Sequence, residues 1–363
     1  MTSPLVERAR NLGLDLSSRR PSHDASRRLD DAVIASLREA DLLRALVPRD
    51  LGGHELSPAD YVAMLEALAV GDSATAWCVM TASTSTLLAA YVPRATADAI
   101  WPAGGPAPFL AGIFAPTGKV IVDNETARLS GRWSWASGSR HADWFVVGAL
   151  AERRHVVCFV PPSAVRIVDN WNTLGLAGTG SHDLVIEDVE LPVGYVTSVF
   201  DRAPWTAAAL YRVPIFGLLA AGIASCALGI ARAALDHVGT SLVADSASAM
   251  FARYAELRAR LDAARAYLIA TTTSAFDRAT LGPVEGHTRG ELRLAASFVA
   301  TSCAEVVRAA FHLGGGASVR SGSVLGNALR DVETLLTHRM VADRVLPATA
   351  RAMLGLGAVP PDL

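Results

Sequence analysis

The hydrophobic pattern changes twice along the chain and divides it into helical, strand-rich and again helical stretches. Over the first hundred residues, apolar side chains recur every three or four positions, the spacing that places them on one side of a helix. This pattern predicts helices over residues 29–43, from Ser57 onward, and from Ser73 to about Tyr91, with both serines as capping residues. We therefore expect three N-terminal helices.

Short runs of β-branched and aromatic residues fill the middle of the chain, from about Pro106 to Phe200. Each run has the length of a strand, and Gly, Asp, Asn and Pro separate it from the next. The predicted strands cover residues 119–123, 128–135, 144–150, 155–160 and 184–191. Together they predict a small β domain.

Helical periodicity returns in the last part of the chain. It predicts helices over residues 214–239, 249–281, 290–313 and 327–354. Residues 213–231 carry no charge over a length close to the minimum for a membrane span, but they are mostly small and no basic clusters flank them. We predict that this helix is buried on all sides in a bundle.

The predicted fold class is α+β. We expect an N-terminal helical domain at residues 1–105, a middle β domain at 106–203 and a C-terminal four-helix-bundle domain at 204–363.

Composition narrows the partners and the compartment. Half of the 363 residues are hydrophobic, the net charge is −2, and Lys119 is the only lysine, so no basic face for nucleic acid or membrane is expected. The four cysteines lie far apart and the nine histidines are dispersed, which predicts neither disulfides nor a metal site. A reducing cytoplasm is the expected location.

Three polar segments remain after GxSxG elbows, P-loops and dinucleotide fingerprints are found to be missing. The first holds Trp135 and Ser137, where an indole beside a hydroxyl can flank a planar heterocycle. Tryptophans that fill a β core are the alternative there. The second holds Trp171, Thr179 and Ser181 on a loop suited to a phosphate or a polar ring edge, although any long hairpin loop has similar residues.

The third segment contains three successive glycines, Gly314, Gly315 and Gly316. A helix end needs only one glycine, so three suggest that the backbone here lies very close to a neighbouring group. Shortly after them comes His338, which shares a predicted helical stripe with Leu335, Val341, Ala342 and Val345. A hydrogen-bonded core histidine is the alternative to a functional one.

The order of these features resembles a known family. The motifs LVPRDLGG, SWASG, LGLAGTGSHDLVIEDVELP and HLGGGAS followed by LRDVETLLTH resemble, in this order, the acyl-CoA dehydrogenase fold. The resemblance implies a flavin between the β domain and the C-terminal helices, in a homodimer or homotetramer with a shared helical bundle. It places Trp135 and Ser137 beside the isoalloxazine, with Ser137 near N5. It also places Trp171, Thr179 and Ser181 on a flavin-contacting loop, and Gly314 to Gly316 near the neighbouring subunit's cofactor.

The dehydrogenases of this fold use a carboxylate base, and the two positions for it hold Arg339, beside His338, and Gly239, while Glu333 comes more than a turn too early. The two-component flavin-dependent monooxygenases place a histidine there. Similarity to that branch implies His338 as the catalytic acid/base, a separate flavin reductase that supplies reduced FMN or FAD, and O₂ as co-substrate. The substrate would be a small organic molecule, aromatic or a natural-product intermediate, that is hydroxylated or N- or S-oxygenated.

Two other functions stay open at this stage. One is an FAD-dependent acyl-CoA dehydrogenase or oxidase with a relocated base, and the other is a non-catalytic relative without flavin. In the dehydrogenases an Arg grips the FAD pyrophosphate, but residues 242–257 lack it at the matching place, and Ala177 replaces a second Arg. The missing arginine slightly favours FMN over FAD.

Overall fold

A computed structural model describes residues 3–244, 248–360 and 363. The chain has the α+β fold predicted from the sequence, with helices, then a sheet, then helices. Within the described residues, the helices before the sheet are α1 (Pro4–Leu16), α2 (Arg20–Ser26), α3 (Asp31–Glu39), α4 (Pro58–Gly71), α5 (Ser73–Thr86) and α6 (Arg94–Ile100). The expectation of three helices was too low: α2 and α6 have only 7 residues each, too few to show a helical period, and the amphipathic pattern of α1 was overlooked.

The caps of α4 and α5 illustrate what a sequence pattern can and cannot assign. Ser57 caps α4 as predicted: its Oγ accepts from the backbone N of Asp60 (3.2 Å) and donates to the Asp60 carboxylate (2.9 Å). Ser73 does not cap α5. The cap is Asp72, whose carboxylate accepts from the backbone N of Thr75 at 3.1 Å, so Ser73 is the first helical residue and its hydroxyl is free for another contact.

In the part of the chain that the structure describes, the sheet has seven strands in the order β5-β6-β2-β1-β3-β4-β7. They are β1 (Leu110–Val122), β2 (Thr126–Ala136), β3 (Trp144–Ala151), β4 (Arg154–Val160), β5 (Arg166–Val168), β6 (His182–Pro192) and β7 (Val196–Thr197). All five predicted strands are confirmed, whereas β5 and β7 are too short to show a pattern. The β2–β6 register shifts between Trp133 and Ala136, which marks a bulge at the end of β2.

The C-terminal helices are α7 (Ile215–Ala244), α8 (Ser248–Leu281), α9 (Gly286–Leu313), α10 (Val324–Leu336) and α11 (Leu346–Met353). By length and composition alone, residues 215–242 and 286–313 could each cross a membrane. In the first of these helices, 89% of the most apolar stretch is buried inside the protein. The prediction of a helix covered on all sides by its neighbours is therefore confirmed.

The prediction of one continuous helix over residues 327–354 was wrong. The helix α10 ends at Leu336, and His338 lies in the turn that follows rather than on a helical stripe. The Thr337 hydroxyl donates to the Thr334 carbonyl oxygen (2.7 Å), and the backbone N of Met340 donates to His338 Nδ1 (3.2 Å). These local bonds compete with the helical ladder and allow the chain to turn.

Close packing of α1 on α4 predicts a stability effect at Gly71. A Cβ on residue 71 would overlap the carbonyl oxygen of Gly13, so α1 would have to move. We expect Gly71→Ala to lower the free energy of unfolding by about 2 kcal/mol despite the better helix propensity of alanine, measured as a lower melting temperature. Gly282→Ala is the matched control, because no atom lies within 4 Å of a Cβ there. Equal melting temperatures would contradict the packing argument.

Candidate active site

The bulge at the end of β2 turns two neighbouring tryptophans in opposite directions. Trp133 is buried in the sheet, where its Nε1 donates to the Gly148 carbonyl oxygen at 2.7 Å. Trp135 has a left-handed backbone (φ 74°) and 72% of its surface is exposed. The core-filling alternative therefore describes Trp133, while Trp135 offers a bare indole face next to Ser137.

Ser137 begins a row of buried hydroxyl groups. Its Oγ lies 2.8 Å from Ser181 Oγ, which lies 2.7 Å from Thr179 Oγ1, which in turn lies 2.8 Å from the Leu176 carbonyl oxygen. At the other end, Trp77 Nε1 donates to Ser137 Oγ at 3.0 Å. We call these five groups, from the Trp77 indole to the Leu176 carbonyl, the hydroxyl row.

Only one arrangement of protons satisfies the hydroxyl row. Each of the three oxygen–oxygen contacts needs one proton, three hydroxyls supply three, and the Leu176 carbonyl has none to give. Ser137 must therefore donate to Ser181, which donates to Thr179. Because the Ser137 proton is committed in this way, its Oγ can form a further hydrogen bond only as an acceptor.

The loop that carries Thr179 and Ser181 also holds Trp171. The Trp171 Nε1 donates to the Leu176 carbonyl oxygen (3.3 Å), and its backbone N donates to Nδ1 of the buried His182 (3.2 Å). Burial lowers the pKa of His182, which favours the neutral ring that this bond requires. Trp171 is half-buried, and its hydrogen bond to Leu176 holds the loop at the carbonyl end of the hydroxyl row.

His338 joins the site through Trp77. The two rings meet edge to face, with centroids 5.7 Å apart and planes at 72°, so one indole contacts His338 with its ring and Ser137 with its N–H. Trp135, Ser137, Trp171, Thr179, Ser181 and His338 are thus gathered in one region.

The hydrogen bonds of His338 determine its tautomer. Since Nδ1 accepts from the backbone N of Met340, the neutral ring carries its proton on Nε2. Burial, together with the positive charges of Arg293, Arg339 and Arg344, lowers the pKa of His338 to about 4. At neutral pH His338 is therefore an uncharged donor at Nε2.

The glycine turn lies elsewhere on this chain. Gly314 packs against Leu325 and Ser318 with no room for a Cβ, but Gly315 (φ 57°) and Gly316 face open space. The turn precedes the start of α10 and His338 follows its end, so the helix separates them by about 20 Å. The segment that lacks the phosphate-gripping arginine, residues 242–257, lies partly outside the described residues.

The alternative base, Glu333, is not part of this region. Its carboxylate forms a two-pronged ion pair with Arg308 (2.6 and 3.0 Å) on the surface between α9 and α10. The relocated-base alternative therefore finds no support in the position of Glu333.

Sequence reasoning missed Trp77, although this residue connects the two halves of the site. The residues of α5 are small or apolar on nearly every side and almost all are buried, so no face of the helix stood out. A tryptophan within a run of Ala, Ser and Thr was the only available signal.

Comparison with known proteins now assigns the family. The chain matches the family model described as Acyl-CoA dehydrogenase, N-terminal domain over residues 15–98, and Acyl-CoA dehydrogenase, C-terminal domain over residues 221–343. It is 31% identical to an indole-3-acetate monooxygenase of Pseudomonas putida over 337 residues, covering 88% of this chain and 86% of that protein. The chain belongs to the flavin-dependent monooxygenase branch of the acyl-CoA dehydrogenase-like superfamily.

Other members of the branch are similar over nearly the whole enzyme. The oxygenase component of a FADH(2)-dependent resorcinol hydroxylase from a Rhizobium species is 29% identical, with 94% of this chain and 91% of that protein covered. Among solved structures, a 3-HSA hydroxylase from Rhodococcus sp. RHA1 has a TM-score of 0.93 with both chains fully covered and 24% identity, a likeness of fold.

The depressed pKa of His338 predicts a specific dependence of stability on pH. Between pH 6.5 and about 4 the unfolded chain binds a proton at residue 338 that the folded chain does not bind, so this residue lowers stability as the pH falls through that window. We expect His338→Gln to reduce the loss of melting temperature between pH 7 and pH 4.5, by an amount equivalent to at most about 3 kcal/mol. The exposed His312→Gln serves as control and should lose as much as the wild type. The same loss in all three proteins would contradict the assignment.

Proposed function

We propose that this protein is the oxygenase component of a two-component system that uses reduced flavin and O₂ to hydroxylate, or to oxygenate at nitrogen or sulfur, a small organic substrate. One observation carries the proposal: a single indole, Trp77, connects an obligate acceptor, Ser137 Oγ, to a neutral donor, His338 Nε2. A site for reduced flavin and O₂ needs both, an acceptor for the flavin and a donor for oxygen.

The residues at the end of β2 fit a reduced isoalloxazine. Reduced flavin carries a proton on N5, and Ser137 Oγ can only accept, so the proton order of the hydroxyl row favours the reduced form over the oxidised one. The exposed face of Trp135 and the ring of Trp171 would pack against the cofactor. Thr179 and Ser181 would hold the Ser137 hydroxyl in its orientation. When bound, reduced flavin would supply the electrons that activate O₂, so that one atom of O₂ enters the substrate and the other leaves as water.

His338 would hold a proton at Nε2 next to the reacting oxygen. With its pKa near 4 the ring stays neutral at working pH, so it donates a hydrogen bond without bringing a positive charge into the pocket. This refines the acid/base role, since Nδ1 is occupied by the backbone N of Met340 and only Nε2 is available. The ring is half-buried, and exclusion of water from it by bound substrate would protect reactive oxygen species from side reactions.

Relatives indicate the substrate class. They include an indole-3-acetate monooxygenase, the oxygenase component of a resorcinol hydroxylase and that of a p-hydroxyphenylacetate 3-hydroxylase. We therefore infer an aromatic substrate that binds beside Trp77 and His338. Oxygenase components of this kind depend on reduced flavin made elsewhere, so a separate flavin reductase would be the protein partner.

We infer a homodimer or homotetramer in the cytoplasm. The free backbone at Gly315 and Gly316 is too far from His338 to serve the same ring, which is consistent with contact to the cofactor of a second copy. Exposed aromatic side chains on α8 and α9, namely Tyr267 and Phe298, offer an apolar surface for that copy. The four cysteines are all free and buried, in agreement with a reducing compartment.

Replacement of His338 tests the central role. We expect His338→Ala to bind reduced FMN with nearly unchanged affinity but to give roughly a hundredfold less oxygenated product per reduced flavin. His338→Gln retains an amide donor and should recover part of the yield. The assay would combine the protein with a flavin reductase and the probes indole-3-acetate and resorcinol, with product followed by mass spectrometry. A fully coupled His338→Ala protein would contradict the role.

Anaerobic titration tests the cofactor. Because the pyrophosphate-gripping arginine is missing, we expect reduced FMN to bind at least as tightly as reduced FAD, and both to bind at least about tenfold more tightly than their oxidised forms. Ser137→Ala should remove most of the preference for the reduced form. Binding of oxidised flavin as tight as that of reduced flavin would argue against an obligate acceptor at Ser137.

A further inference from the structure

We propose that Asp331 is a positioning residue that determines where His338 stands relative to the hydroxyl row. It would do so through two paired contacts between α5 and the segment formed by α10 and its following turn. The chemical consequence rests on the proposed function, but the contact pattern does not depend on it.

The first contact is centred on the Asp331 carboxylate, which is completely buried. Its oxygens accept hydrogen bonds from the Ser73 hydroxyl, from Arg20 Nη1 at 2.7 Å and from the backbone N of Leu176 at 2.8 Å. These donors come from α5, α2 and the loop before β6. A buried carboxylate with three donors, one of them charged, holds its neighbours in fixed places.

The second contact is that of Trp77 with His338. Trp77 follows Ser73 by four residues on α5, which is one helical turn along the same face. His338 follows Asp331 by seven residues, beyond the end of α10. The same two segments therefore touch twice, once through a polar group at the start of α5 and once through the rings of the candidate site.

The loop before β6 is linked to both contacts. Near the first contact, Leu176 donates to Asp331, and Gly175 lies so close to the backbone of α10 that a Cβ there would reach the Asp331 nitrogen at 2.6 Å. Near the second, Ser181 accepts from Ser137, which accepts from Trp77. The loop is thus linked to α5 twice, through Asp331 at the first contact and through Ser137 at the second.

In this arrangement the geometry of the second contact depends on that of the first. Ser73 and Trp77 are held one turn apart by a rigid helix, and Leu176 and Ser181 belong to one short loop. A small displacement of Asp331 is consequently passed to the distance between His338 and the row. Misplacement of a reacting group by about 1 Å is enough to cost a large part of the rate.

Three variants disturb the first contact without touching His338, Trp77 or Ser137. Ser73→Ala removes one donor, Gly175→Ala pushes the loop away from α10, and Asp331→Asn removes the charge. Glu333→Gln is the matched control, because it lies on the same helix but faces Arg308 at the surface. If Asp331→Asn fails to fold, the two milder variants decide the question.

Two measurements distinguish positioning from simple support. We expect Ser73→Ala and Gly175→Ala to stay folded, to bind reduced FMN normally and to lose roughly tenfold in product per reduced flavin, whereas Glu333→Gln loses none. Hydrogen exchange should rise in residues 334–341 as well as in 170–181, although neither substitution lies in 334–341. Folded variants with unchanged yield and unchanged exchange at 334–341 would overturn the proposal. Should the wild type oxygenate no aromatic probe, the proposed function fails, and the exchange result still decides the positioning role.

Discussion

The site depends on the need of every buried polar group for a partner. Between the Trp77 indole and the Leu176 carbonyl, three buried hydroxyls form one continuous row of hydrogen bonds. The indole can only donate and the carbonyl can only accept, so the direction of every bond between them is determined by the two ends. A serine hydroxyl can usually either donate or accept a hydrogen bond, but here Ser137 Oγ can only accept a further one.

The same constraint explains why the site is assembled from distant parts of the chain. No local segment offers an indole N–H, three hydroxyls and a capped imidazole within reach of one another. The end of β2, the loop before β6, the first turns of α5 and the turn after α10 each contribute one or two groups. The sheet and the helices bring these ends together, and the buried carboxylate of Asp331 ties three of them.

Much of this architecture could be predicted from the sequence, and the exceptions have physical causes. Strand-length runs between turn residues located β1, β2, β3, β4 and β6, and uncharged small residues located α7, because burial on both faces or on all sides leaves a strong pattern. The polar segments around Ser137 and Ser181 were found because polar residues at a strand end are conspicuous. Trp77 was missed because its helix is buried all round, and the break after Leu336 was missed because side-chain bonds of Thr337 and His338 end a helix that the apolar pattern would continue.

The backbone at Trp135 has one more consequence. A bulky residue in the left-handed region carries a conformational cost of about 1–3 kcal/mol, and this one also leaves most of its indole in water. The backbone cost stays with the folded chain, whereas a flat, electron-rich guest stacked on that ring would bury its exposed face and gain binding affinity from it.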